Sequence, residues 1–162
     1  MMSKFTYSSD NKEFTVEIDS SLLEDCFIEC DKSSNYETGG ILIGNYSDDM
    51  RTAVIRSLSK APIDSKIGKM SFKRGIKGLI DVLNKKWDES GEYYLGEWHF
   101  HPNSSSQPSG TDLRQMKELS RHKKLKCPEP ILLIIGGNSI VGWNISLNIF
   151  QNDKVIEMYQ MK

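Results

Sequence analysis

The chain predicts an α/β (α+β) fold, a mixed and curved β-sheet flanked by about three helices, and two observations carry that prediction. About six or seven segments either alternate apolar and polar residues or run apolar between turn residues, and three longer segments repeat apolar residues at helical spacing. The two kinds of segment interleave, and many strands are joined by tight turns, as a mixed sheet with helices on its faces requires. With 162 residues, 38% of them hydrophobic, the chain is expected to form a single domain over residues 1–162 around one core.

Taken in order, Phe14 to Ile18 alternates like a strand. Ser21 to Lys32 follows as a helix, with Leu22, Leu23, Cys26, Phe27 and Cys30 on one stripe and Ser21 and Glu24 at capping-box spacing. Glu37-Thr38-Gly39-Gly40-Ile41-Leu42-Ile43-Gly44 is a glycine-flanked apolar run and reads as a buried strand, paired with Arg51 to Ser59 across Ser47-Asp48-Asp49. Lys60 to Met70, with Pro62, Gly68 and several lysines, reads as a mobile surface loop. Lys73 to Glu89 places Ile76, Leu79, Ile80, Leu83 and Trp87 on one helical face, and Gly91 is its stop signal. Tyr93 to His101 is a strand ending at Pro102, Asn103 to Pro108 a polar loop, and Ser109 to about Lys124 a helix. Strands at Pro130 to Ile135 and Ile140 to Phe150, joined through Gly136-Gly137-Asn138-Ser139, and a short one at Val155 to Met161 complete the chain.

Composition excludes several classes. The net charge is −1 and the cations are dispersed except at Arg121 to Lys126, which reads as a solvated helix end, so no nucleic-acid partner is expected. No apolar run reaches signal-peptide length or the roughly 20 residues of a membrane span, so a cytoplasmic protein with no membrane partner is expected. The three cysteines form no CxxC pair, and Cys26 and Cys30 read as core packing.

The chemistry concentrates at Glu97-Trp98-His99-Phe100-His101-Pro102, with Ser109 and Asp112 close behind. In a strand, residues two apart share a face, so His99 and His101 can grip one metal ion, and Asp112 can return from the next element as a third ligand. Three protein ligands and an open fourth position describe catalytic zinc. Such a site lowers the pKa of a water to about 7 and polarises a carbonyl; amide cleavage also wants a carboxylate to shuttle the proton and a donor at the oxyanion. Ser109 is positioned to be that donor, and Glu37 and Glu97 are both candidates for the shuttle. Taken alone, Ser109 and Asp112 read first as a helix cap. His122, set among Arg121, Lys123 and Lys124, reads as a solvated residue.

The pattern His99-x-His101-Pro102, then Ser109-x-x-Asp112, resembles the JAMM motif of the JAB/MPN metalloproteases, and Glu37 to Gly44 is similar to the family's early glutamate-bearing strand. The resemblance spans Glu37 to Asp112. It implies a cytidine-deaminase-like architecture, one zinc per chain with a catalytic water, His99, His101 and Asp112 as metal ligands, Glu37 as general acid/base and Ser109 as oxyanion donor. Glu97 then recedes to orienting a ligand or a loop. Phe100 departs from the family, which usually has serine or threonine between the histidines; its side chain is expected to face away from the metal.

The chain looks most like the small bacterial JAB proteins found beside ubiquitin-activating and ubiquitin-conjugating-like enzymes, including those of anti-phage operons with a cyclic-oligonucleotide synthase. That resemblance implies cleavage after a ubiquitin-like protein, or after such a synthase conjugated like one. Lys60 to Met70 and Asn103 to Pro108 are the candidate segments for gripping the extended tail. The alternative from another class is a non-catalytic module of the same fold that recognises ubiquitin-like tails or scaffolds a complex. A zinc nucleobase deaminase would need His-x-Glu and Pro-Cys-x-x-Cys, and Cys127-Pro128 stands alone and reversed.

Overall fold

The computed structural model describes residues 3–162. Its strands are β1 (Lys4–Ser9), β2 (Thr15–Asp19), β3 (Thr38–Tyr46), β4 (Thr52–Leu58), β5 (Lys66–Ile67), β6 (Phe72–Lys73), β7 (Tyr93–Pro102), β8 (Ile131–Asn138), β9 (Gly142–Gln151) and β10 (Lys154–Gln160). The helices are α1 (Ser20–Ser33), α2 (Leu79–Ser90) and α3 (Gly110–Arg121), the last followed by a 3-10 turn at Lys123–Leu125. Eight strands close into a barrel in the order β1-β10-β9-β8-β7-β3-β4-β2, and β5 and β6 form a separate hairpin. Two of the barrel's pairings are parallel, β2 with β4 and β7 with β8, so the sheet is mixed as expected. The sequence reading missed β1, whose pairing with both β2 and β10 closes the ring.

Each face of the sheet has a separate apolar filling. Leu42, Ile55, Leu95, Trp98, Phe100, Leu133, Ile135 and Leu147 meet Leu23, Cys26 and Cys30 of α1 in the main core. Cys26 and Cys30 are free and buried, and burial above all pushes their thiols far up, which makes them packing groups. On the opposite face, Leu79 of α2 covers Ile41, Ile43 and Tyr94, and Met116 of α3 covers Leu132, Ile134 and Phe150.

Three local expectations are corrected. The N-cap of α1 is Asp19, ahead of the Ser21 and Glu24 pair, and makes no side-chain cap bond. Helix α2 begins at Leu79, because Lys73 belongs to β6 and Gly78, at φ +83°, opens the helix; Ile76, Ile80 and Trp87 are 73%, 71% and 60% exposed, so Leu79 and Leu83 pack into the sheet's apolar cluster while Trp87 only meets the Tyr93 ring at 6.3 Å. Strand β8 continues through Gly136 and Gly137 and pairs with Asn144 and Trp143, moving the turn to Ser139–Val141. Gly136 is required there: a Cβ would lie 2.4 Å from the carbonyl oxygen of Ser104.

Strand β7 sets the geometry of everything that follows. Between the pairs Leu42 with Gly96 and Ile43 with Tyr94, Leu95 is an extra residue, a β-bulge. The bulge reverses the alternation, so Leu95, Trp98 and Phe100 enter the main core while Tyr94 joins the face of Glu97, His99 and His101. Gly96 makes it possible, at φ +153° and with its Cα so close to β8 that a Cβ would stand 1.9 Å from the carbonyl oxygen of Ile131. Gly96→Ala is expected to cost about 2–4 kcal/mol, read as a lower urea midpoint at unchanged m-value.

Candidate active site

The outward face of β7 is buried by what packs over it. His99 and His101 are 4% and 8% exposed, and Asp112, on the first turn of α3, is 5% exposed. Nδ1 of His99 lies 2.9 Å from Oδ1 of Asp112, and Nε2 of His101 lies 3.1 Å from Oδ2. Nδ1 of His101 faces the carbonyl oxygen of Ser105 at 3.2 Å, an acceptor that fixes the ring's orientation and requires Nδ1 to carry a proton. The loop supplying that carbonyl is itself held: Asn103 turns the chain at φ +55° and its amide donates to Gly137, while Asn144 Nδ2 donates to Ser104.

Ser109 and Asp112 form the helix cap and also belong to the site. The amide of Asp112 donates to Ser109 Oγ at 3.1 Å, and the amide of Ser109 donates to Asp112 Oδ2 at 2.8 Å, a complete capping box. The cap therefore aims the carboxylate at the histidines and leaves the Ser109 hydroxyl proton free to donate elsewhere. Glu37 stands just before β3, half-buried, and its amide donates to the carbonyl of Gly68 at 2.8 Å. Glu37, His101 and Ser109 line one cleft of about 290 Å³ with Lys69, Met70 and Gln107. His122 is exposed at the C-terminal end of α3, away from this group.

Electrostatics follow from burial and pairing. Burial opposes the Asp112 charge, yet hydrogen bonds from His101 and His99 outweigh it and hold the carboxyl well below its usual range. Burial likewise opposes a charged His101, but the Asp112 hydrogen bond and charge raise its pKa. Burial raises Glu37, with His101 counteracting it.

Two imidazoles and a carboxylate are an ordinary donor set for zinc. As they stand the three side chains satisfy one another by hydrogen bonding, and among the described residues no group of three or more His, Cys, Asp or Glu is arranged to hold a metal ion. The fit therefore rests on the chemistry of the donors, their burial and their mutual reach.

Phe100 faces away from the histidines, as expected; it is 2% exposed and packs edge-on to Trp143, 5.9 Å between centroids, which in turn stacks on Phe27. Glu97 shares the histidine face, but Arg74 and Tyr94 occupy its carboxylate. Sequence reading missed both partners: Gly96 was the available sign of a bulge that would bring Tyr94 round, whereas nothing local pointed to Arg74.

Residues 21–146 match the family described as prokaryotic homologs of the JAB domain. The chain is 42% identical over 144 residues, covering 89% of it and 79% of the relative, to a protein of Enterobacter hormaechei subsp. hoffmannii named CD-NTase/cGAS isopeptidase. It is 28% identical over 123 residues, 74% of each chain, to a protein of Sinorhizobium fredii named "Probable metalloprotease y4qB". Its fold is similar to the solution structure of protein DSY2949 from Desulfitobacterium hafniense, with TM-score 0.63 and 18% identity over 86% of this chain and 87% of that one. The fold is thus that of a JAB-like domain, and the chain belongs to the prokaryotic JAB family. No helix among the described residues is long and apolar enough to cross a membrane.

The sign of the pH dependence follows from the pairing. Asp112, depressed in the folded state, adds stability that is complete above its unfolded pKa of about 3.9 and lost as pH falls towards the folded value. His101, raised, adds stability that is complete below about 6.5 and lost as pH rises through its folded pKa. Protein kept in chelator is expected to be most stable between about pH 4 and 6.5, and Asp112→Asn to abolish the alkaline decline, as measured by urea midpoints across pH.

Proposed function

We propose that this chain is a zinc-dependent isopeptidase or peptidase that cleaves the amide bond after the C-terminus of a ubiquitin-like protein, or of a protein conjugated like one. The observation that carries the reading is the meeting of His99, His101 and Asp112 beneath a cleft lined by Glu37 and Ser109. The name of its 42% identical relative, CD-NTase/cGAS isopeptidase, supports the substrate class. We further propose a cyclic-oligonucleotide synthase of an anti-phage operon as the conjugated target, with ubiquitin-activating and ubiquitin-conjugating-like enzymes as companions. We place the activity in the cytoplasm.

His99, His101 and Asp112 would hold one zinc ion, His101 giving up its Nε2 proton on loading while Nδ1 stays bonded to Ser105. When bound, zinc supplies a Lewis acid and lowers the pKa of water to about 7. Glu37 takes the proton of the attacking water and delivers it to the departing amine; partial burial raises its pKa towards the range in which one carboxyl can serve as both base and acid. Ser109 accepts from the Asp112 amide and donates its hydroxyl proton to the carbonyl oxygen as charge builds there.

Three variants separate these roles. Purified protein is expected to carry about one zinc per chain. Glu37→Ala keeps the metal and loses conjugate cleavage by about 10²–10⁴-fold, and retained cleavage would remove Glu37 from the mechanism. Ser109→Ala lowers kcat by about 10²-fold with KM little changed. Asp112→Ala loses zinc, measured by metal analysis after dialysis. Zinc-free protein that still binds a ubiquitin-like tail with full affinity would favour the non-catalytic module instead.

A further inference from the structure

The charge on Glu97 is unused by the proposed chemistry, although it stands on the same face of β7 as both histidines. It is 3% exposed, and a buried carboxylate is costly unless paired. Arg74 Nε donates to Oε1 at 2.5 Å and Tyr94 Oη donates to Oε2 at 2.5 Å, so both oxygens are taken. The Arg74 side chain is itself only 15% exposed and also donates to the carbonyl of Gly75.

Arg74 directly follows β6, so this ion pair fastens the β5–β6 hairpin to the strand that bears His99 and His101. The other contacts of the hairpin run to the site as well. Phe72 is buried with its ring 5.5 Å from that of His99 and nearly perpendicular to it, and it lies over Gly39, where a Cβ would come within 2.9 Å of the ring. Gly68, in the hairpin turn, accepts the amide of Glu37, and Lys69 and Met70 wall the cleft beside Glu37 and Ser109. The flanks are tied too: Asp64 accepts the amides of Ile76 and Lys77, and Ser65 Oγ accepts the amide of Gly75. The segment expected to be a mobile loop is therefore built and anchored.

We infer that Glu97, Arg74 and Tyr94 are positioning residues that lock the β5–β6 hairpin over the metal ligands, making it a preset wall of the substrate cleft. The wall's purpose rests on the isopeptidase reading; the lock does not. Tyr94 reaches Glu97 only because the Leu95 bulge reverses the alternation of β7, so one backbone irregularity builds both the core and the lock.

The test compares the zinc-loaded full chain with Tyr94→Phe and with the double variant Arg74→Ala/Glu97→Ala, which leaves no buried charge unpaired. Hydrogen exchange, zinc content and conjugate kinetics are measured on each. In the double variant, amides of residues 66–73 are expected to exchange about tenfold faster or more while β8 and β9 are unchanged. Zinc stays near one per chain, and KM for the conjugate rises about tenfold with kcat within about threefold. Tyr94→Phe gives a smaller shift of the same kind. Unchanged hairpin exchange in the folded double variant would overturn the lock. Faster exchange with unaltered KM, or a loss of zinc with a fall in kcat, would overturn the preset wall. If the unaltered protein cleaves no conjugate, the isopeptidase reading fails while the exchange comparison still decides the lock.

Discussion

Asp112 is buried with an imidazole nitrogen against each carboxylate oxygen, and the site depends on that arrangement. A charge so placed must be paired, because its desolvation cost exceeds any gain from packing. The capping box sets where the carboxylate points, by tying Ser109 to Asp112 through two backbone amides. Strand alternation sets where the histidines stand, with Trp98 and Phe100 locked into the core on the opposite side. Helix α3 and strand β7 thus meet through one carboxylate, and the proposed metal chemistry borrows an arrangement that the fold already needs.

The same logic explains why Glu97 is a supporting residue. It lies on the histidine face and is as deeply buried, but its oxygens are committed to Arg74 and Tyr94, whereas Glu37 lines the open cleft. A carboxylate that exchanges protons must reach water and substrate; one that is doubly bonded and closed off holds structure. Phe100 settles along similar lines. Its ring is turned into the barrel against Trp143, on the side of the strand away from the histidines.

Much of this was legible in the sequence because it is local. The one-residue spacing of His99 and His101 fixes their common face, and Ser109 to Asp112 has the spacing of a cap whichever role it also plays. The mixed sheet and three helices follow from short periodic segments. What escaped depends on long-range pairing. Strand β1 becomes a strand by joining β2 and β10. The predicted helix at Lys73 to Glu89 loses its first six residues to the end of the hairpin and the connection after it, where Arg74 meets Glu97 across 23 positions of sequence. The glycines Gly136 and Gly137, a turn signal by composition, instead pair with Asn144 and Trp143 inside a strand, and Gly136 lets the loop after His101 cross close above it.

The account turns on His99, His101 and Asp112 serving as one metal centre. X-ray absorption spectroscopy of the zinc-loaded chain tests this most directly. The predicted result is a first shell of nitrogen and oxygen only, at about 2.0–2.1 Å with two imidazoles, and it disappears in Asp112→Ala. A sulfur shell at about 2.3 Å, or an unaltered spectrum in that variant, would contradict the account.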